Sequence, residues 1–257
     1  MTLLLPAFVG TPEINKVYNV DALTLLRAMP DNSVDAIISD PPYNTTELEF
    51  EQVIDWQAFW VQARRILKTT NCPTVLFSQQ PFTTDLINSN RKGWRYEIIW
   101  EKSLAMGFLD ANRRPLRAHE NIQVFADAQA NYWPQMEESS TLRATARRRA
   151  NQTEHYSDHN GSTYIDDGTR YPRSVWRFSA RDTAFSNTVS LHPTAKPLPL
   201  MEKLIATYTD AGVLIVDPFA GSGSTAAAAR KLGRSFVCAE LYLETCKVAW
   251  NRLAKPY

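Results

Sequence analysis

The stretch GVLIVDPFAGSGSTAAAARKLGRSFVCAEL, residues 212–241, restricts the fold more than any other part of the chain. An apolar run ends in Asp-Pro-Phe, a glycine turn follows, then an alanine-rich helical segment closed by Gly233, then a second apolar run. That is a strand–turn–helix–strand unit, and two strands joined through a helix lie parallel in one sheet. Gly221, Gly223 and Ala226 fit the G-x-G-x-x-A form of the nucleotide-binding turn, in which backbone N–H groups approach a ligand. Glu240 ends the second strand, where an acid binds ribose hydroxyls. No Gly-Lys-Ser/Thr follows the glycines, which excludes a phosphate-binding P-loop. The turn alone leaves NAD and S-adenosylmethionine both open, beside the plain reading of a tight turn without a ligand.

The rest of the chain repeats this alternation. Helical spacing in DALTLLRAM stops at Pro30, and VDAIISD is a buried-strand run. WQAFWVQARRILK is a helix, PTVLFS a strand, PFTTDLINSN a helix, and RYEIIWEK and ENIQVFA are β-rich. KPLPLMEKLIATYT and LETCKVAWNRLAK complete the helices. The expected architecture is α/β, a doubly wound, mostly parallel sheet with its ligands at the carboxyl ends of the strands. Between about 127 and 185 the periodicity dissolves into polar, Arg-, Asn-, Ser- and Thr-rich sequence, a length that marks a functional or mobile insertion. The division expected is therefore a domain built from 1–126 and 186–257, with 127–185 inserted.

Hydrophobic residues at 44% and charged residues at 21% suit a soluble globular protein, and no apolar run is long enough for a membrane span. MTLLLPAFVG lacks the basic region and cleavage pattern of a signal peptide. Cys72, Cys238 and Cys246 show no CxxC spacing, so a reducing cytoplasm is expected, with no disulfide framework or structural zinc. His155 and His159 stand four apart but lack further ligands, and no metal is expected. Net charge is +1, yet residues 91–149 hold 11 Lys/Arg against 7 Asp/Glu. Arg113, Arg114, Arg117 and the run Arg147, Arg148, Arg149 are candidates for phosphate contacts, against the plainer reading of a solvated face.

SDPPYN, residues 39–44, follows the first buried-strand run. Pro41 and Pro42 remove two backbone N–H groups and fix φ at both positions, so Asp40 and Tyr43 stand on a stiff turn. By itself this is also what a strand-terminating loop looks like. Together with DPFAGSGST, however, SDPPYN resembles the DNA amino-methyltransferases, which methylate exocyclic nitrogens using S-adenosylmethionine. NVDALTLLRAMPDNSVDAIISDPPYN, EIIWEK, RAHENIQVF and HPTAKPLPLMEKLI resemble further motifs of that family, covering roughly 15–126 and 190–253. The order, catalytic motif first and cofactor turn near the C-terminus, resembles the circularly permuted class called β, with a Rossmann-like fold.

The resemblance implies roles. Asp40 and the Pro41 carbonyl would accept hydrogen bonds from a target amine on the rigid Asp40–Pro41–Pro42–Tyr43 turn, and Tyr43 would stack on a base flipped out of double-stranded DNA. Asp217, Pro218, Phe219, Gly221, Ser222 and Gly223 would surround the cofactor, Glu240 and Leu241 would meet its ribose side, and Asp21 its adenine. Thr194 and Lys196 would approach its methionine carboxylate. Asp21 is equally placed to be a helix N-cap, and Lys196 to be a solvated side chain at a helix start. Residues 127–185 fall where the class keeps its target-recognition region, and members of the class resemble homodimers. The expected activity is adenine-N6 methylation in DNA. Cytosine-N4 methylation has the same chemistry, with a motif that more often begins with Ser. An NAD-dependent oxidoreductase would leave SDPPYN unused, and a binding module with a decayed site would not need both motifs intact.

Overall fold

Apolar pairs in successive strands, Ile37–Ile38, Val75–Leu76, Ile215–Val216 and Phe236–Val237, send neighbouring side chains to opposite faces of one sheet, and both faces are buried. The structure, a computed structural model, describes residues 10–43, 54–139, 166–179 and 195–254, together with the backbone of 146–147 and 163–164. It divides into a unit of Met1–Trp133 with Ser174–Tyr257 and a unit of Pro134–Arg173.

In the larger unit the chain runs β1 (Lys16–Tyr18), α1 (Ala22–Ala28), β2 (Ala36–Ser39), α2 (Trp56–Ile66), β3 (Thr74–Ser78), α3 (Phe82–Ser89), β4 (Trp94–Met106) and β5 (Arg117–Phe125). The smaller unit holds two two-residue pairings. β6 (Glu137–Glu138) pairs with β9 (Thr169–Arg170), and β7 (Ala146–Arg147) with β8 (Thr163–Tyr164), both antiparallel. An Arg170–Asp166 ion pair and the Asp167 carboxylate, which accepts from the Thr169 N–H at 2.9 Å, shape the turn before β9. The larger unit resumes with β10 (Val175–Phe178), α4 (Leu198–Tyr208), β11 (Leu214–Asp217), α5 (Ser224–Lys231), β12 (Ser235–Ala239) and α6 (Leu243–Leu253).

Its eight strands lie in the order β1-β12-β11-β2-β3-β5-β4-β10. Only β5 runs against its neighbours, pairing antiparallel with β3 and β4. Leu25, Leu26, Phe59, Trp60, Ile66 and Leu86 of α1, α2 and α3 cover one face. Leu200, Leu204, Tyr208, Cys246 and Ala249 of α4 and α6 cover the other, with α5 between them. Four consecutive alanines, Ala226–Ala229, let α5 lie close against its neighbours, and all four are fully buried.

β10 lies inside the stretch that showed no periodicity. It is four residues long at the sheet edge and buries only Trp176 fully, so it leaves no repeating apolar signal. The topology matters most for function at one place. From β11 the chain crosses through α5 to β12 on one side, whereas β2 leads through α2 to β3 on the other. The gap between β11 and β2 is thus a switch point, where loops diverge and open a crevice at the strands' carboxyl ends.

Candidate active site

The two motifs that stand far apart in the chain leave adjacent strands at this switch point. Asp217 is the last residue of β11, and Asp40 follows the last residue of β2. Ser39 joins them: its hydroxyl donates to Asp217 Oδ1 and accepts from the Phe219 N–H at 3.2 Å. The Phe219 N–H also donates to Asp217 Oδ1, at 3.0 Å. Burial pushes the Asp217 carboxyl up to about 6 despite these donors.

Beyond these strand ends lies a cavity of about 950 Å³. Both motif loops line it, as do Asp21, Lys196, Glu240 and the β4–β5 side. Gly221 and Ser222 of the glycine turn line it as well. Gly221 has φ +52° and Gly223 +77°, in the left-handed region that glycine adopts without strain. A Cβ on Gly223 would stand 3.0 Å from Ala249 Cβ of α6, whereas one on Gly221 would meet only open space. Glu240 braces the turn: its carboxylate accepts from the Gly221 N–H and from the Tyr242 N–H, each at 2.9 Å. Asn19, which the sequence did not single out, donates to the Glu240 and Leu241 carbonyls at 3.0 and 2.7 Å. Pro218, Ser222 and Leu241 also line the cavity, and Phe219 stacks on Phe59 of α2 with centroids 6.4 Å apart.

Asp40 also lines the cavity and sits in a charge network with buried partners. Its Oδ2 pairs with Lys196 Nζ, and its Oδ1 accepts from the Tyr43 hydroxyl at 2.7 Å. Lys196 Nζ also lies 3.4 Å from Glu120 Oε2, and Glu120 Oε1 pairs with Lys102. Two carboxylates thus share two ammonium groups. Burial raises the Asp40 carboxyl, Lys196 pulls it down, and the Glu120 charge adds to the rise, leaving it above the ordinary aspartate range. Burial also works to raise Glu120, but Lys196 and Lys102 outweigh it and hold that carboxyl below its usual value. Burial disfavours the charged form of Lys196, and the two carboxylates more than compensate, so its pKa rises.

Lys196 is therefore buried and paired, which excludes the solvated-side-chain reading. Pro41 and Pro42 line the cavity beside Asp40. The Tyr43 ring lies against Phe82, with centroids 5.3 Å apart and planes 22° from parallel, so one face of it packs in the protein. Asp21 is the N-cap of α1, accepting from the Thr24 N–H at 2.9 Å, while also lining the cavity. Arg113 and Arg114 are exposed on the turn after β4, and Arg114 pairs with Asp110. Arg117 begins β5 and lines the cavity. Thr194, Arg148, Arg149, His155 and His159 lie outside the described residues, as does the side chain of Arg147.

Glu120 and Lys102 were missed as site residues. The available signal was a glutamate in phase with Ile122 and Val124 on a strand face that is otherwise buried and apolar. A charge at such a position requires a partner.

The family model described as DNA methylase, of the N6/N4 class, matches residues 34–251. The chain is 26% identical over 265 residues to the type II methyltransferase M.BglII of Bacillus subtilis, covering 97% of this chain and 72% of that protein. It is 27% identical over 258 residues to the DNA adenine methyltransferase YhdJ of Escherichia coli K12, covering 94% and 83%. Among solved structures, the M1.HpyAVI–SAM complex superposes with a TM-score of 0.63 at 22% identity, over 93% of this chain and 99% of that one. The cytosine-N4-specific PvuII DNA methyltransferase gives 0.66 at 17% identity, over 94% and 87%. With a half-buried aspartate on a double-proline turn and a glycine turn lining one cavity, and with the family match spanning both, this chain belongs to the N6/N4 DNA methyltransferase family.

Proposed function

We propose that the protein transfers a methyl group from S-adenosylmethionine to the exocyclic N6 of an adenine flipped out of double-stranded DNA, at a specific sequence. The observation that carries this reading is the shared cavity, lined by Asp40 as well as by Gly221 and Glu240. The residues fit the cofactor: Gly221 leaves open space where a side chain would stand, and Glu240 offers a carboxylate at the cavity edge. Asp21, Asp40, Thr194, Lys196, Asp217, Pro218, Phe219, Ser222, Gly223 and Leu241 complete the set proposed to hold it. Bound there, S-adenosylmethionine supplies a methyl group activated on a sulfonium.

The protein's own contribution is to make a poor nucleophile reactive. The lone pair of an adenine amino group is delocalised into the ring. Hydrogen bonds from that group to Asp40 and to the Pro41 carbonyl favour a pyramidal nitrogen with a localised pair. The prolines hold both acceptors fixed, so positioning and electrostatics, rather than a covalent intermediate, lower the barrier. Asp at the head of the motif, where Ser is more frequent for cytosine-N4 chemistry, favours adenine. The motif order, with β2 carrying the catalytic turn ahead of β11, favours the circularly permuted class. Arg147–Arg149 and the segment 127–185 are proposed to contact DNA and read its sequence.

The test is incubation with labelled S-adenosylmethionine and unmethylated DNA, followed by nucleoside analysis, with methylome sequencing of expressing cells to supply the motif. N6-methyladenine is expected. N4-methylcytosine would overturn the adenine assignment alone, and cofactor binding with no transfer to any DNA would overturn the activity. Asp40→Ala should lower turnover by roughly 10²-fold or more while leaving cofactor affinity within a few-fold.

A further inference from the structure

The two longest strands, β4 and β5, form a hairpin whose end carries large exposed apolar side chains. β4 runs to Met106 and β5 begins at Arg117, with Met106 and Arg117 paired across the ladder. The base of this hairpin, Leu104–Gly107 with Arg117, lines the same cavity as Asp40 and Tyr43. At its tip Phe108 is 81% exposed and Leu109 98% exposed, and Met106 and Leu116 are exposed beside them.

This tip is a hydrogen-bonded turn. Gly107, at φ +91°, turns the chain into a single 3-10 turn over Phe108–Asp110. The Asp110 N–H donates to the Gly107 carbonyl at 3.0 Å, the Arg113 N–H to the Asp110 carbonyl at 2.8 Å, and Arg114 pairs with Asp110. A closed turn thus presents two large apolar side chains outward, at an energetic cost that burial elsewhere would remove. Three arginines against one aspartate between 107 and 117 make its surroundings positive. An apolar knob set in positive charge beside a cavity suits a polyanion with an apolar interior, and a base-paired duplex has both. Proteins that distort duplexes use Phe and Leu in this way, as wedges between stacked bases.

We infer that the β4–β5 tip is a wedge that enters the duplex at the target step, Phe108 and Leu109 filling the space vacated by the base that moves into the Asp40 cavity. Arg113, Arg114 and Arg117 contact the flanking phosphates. The inference rests on the proposed reaction on DNA and adds the residues that lower the cost of extruding the base.

The test uses the full chain and duplexes carrying the motif found in the methylome, with 2-aminopurine at the target position for fluorescence and adenine there for turnover, because 2-aminopurine lacks the 6-amino group. The wild type should raise 2-aminopurine fluorescence, and the double variant Phe108→Ala/Leu109→Ala should lose most of that rise. On the paired duplex the variant's kcat/KM should fall by roughly 10- to 100-fold, the scale of an unstacking cost. It should recover to within about threefold of the wild type when the partner of the target base is abasic, where extrusion costs little. Cofactor affinity should be unchanged. Equal losses on paired and abasic duplexes would overturn the wedge in favour of a structural role, and no loss on either would overturn it outright. A fall in mass by light scattering would assign the tip to contact between two copies of the chain instead. If the methylome yields no motif the proposed reaction fails, and the wedge is then read from wild-type against variant fluorescence on a pool of duplexes with 2-aminopurine at scattered adenine positions. If the wild type raises no fluorescence, the wedge fails.

Discussion

Asp40 is held between two opposing influences, and its protonation is the property on which the proposed chemistry turns. Ionised, it is the stronger acceptor for a hydrogen bond from the target amine and best stabilises the positive charge that develops there. Burial and the Glu120 charge raise its carboxyl, while Lys196 and Tyr43 lower it. The acid limb of the pH–rate profile should therefore respond in opposite directions to its two neighbours. Glu120→Gln removes a like charge and should move that limb to lower pH. Lys196→Met removes the compensating cation and should move it to higher pH. Both profiles are to be taken at saturating cofactor, so that any role of Lys196 in cofactor binding does not enter. Movement of both limbs in the same direction would contradict the network described for Asp40.

The β11–turn–α5 element shows how one pattern serves two ends. Gly221 and Gly223 both sit at positive φ, so alanine at either costs about 1–2 kcal/mol in backbone strain. Their surroundings then separate them. A Cβ on Gly223 presses on Ala249 of α6, whereas one on Gly221 enters open cavity. Gly223→Ala should destabilise the fold by roughly 2–3 kcal/mol, because strain and crowding add. Gly221→Ala should lose only the strain yet weaken S-adenosylmethionine binding by about tenfold or more. Denaturant unfolding and calorimetric titration of the two variants will separate these effects. If Gly221→Ala binds cofactor normally, that face of the turn does not meet it.

At the scale of the whole molecule, the join between β2 and β11 is a point where stability has been set against the needs of a site. Asp217 is buried with its carboxyl pushed up to about 6, above the value near 4 of an unfolded aspartate. An acid raised on folding contributes stability that is fully present below about pH 4 and is lost as pH rises through 6. Asn at this position can still accept from Ser39 and Phe219 without carrying the buried charge. Asp217→Asn should therefore stabilise the cofactor-free protein at pH 8 by up to about 3 kcal/mol, with the gain gone near pH 4. Thermal unfolding across this range checks it, and a variant less stable at pH 8 would show that the carboxylate's hydrogen bonds outweigh its burial. The same join explains the cavity, since loops from strands that diverge on either side of it cannot cover one another.

The glycine turn, the double-proline turn and the alternating helices and strands were readable from the chain alone, because each rests on local properties: φ preferences, a missing N–H, apolar spacing. Those properties are enough for an α/β sheet with a nucleotide-type turn. Local properties also identified Asp21 as a helix cap, but not that it lines the cavity. Only the tertiary structure decided that Ser39 would hold Asp217, or that Lys196 would pair with Asp40 across 156 residues of sequence. Glu120 and Lys102 joined the site for the same reason, through a strand pairing that places a charge on a face otherwise buried and apolar. β10 escaped notice because a four-residue edge strand with one fully buried side chain is specified by its partner β4 rather than by its own pattern. Spacing along a chain carries information about what each residue does to its neighbours. Which distant charges must share a buried space is settled only when the sheet closes, because the cost of burying each charge depends on the partner it then meets.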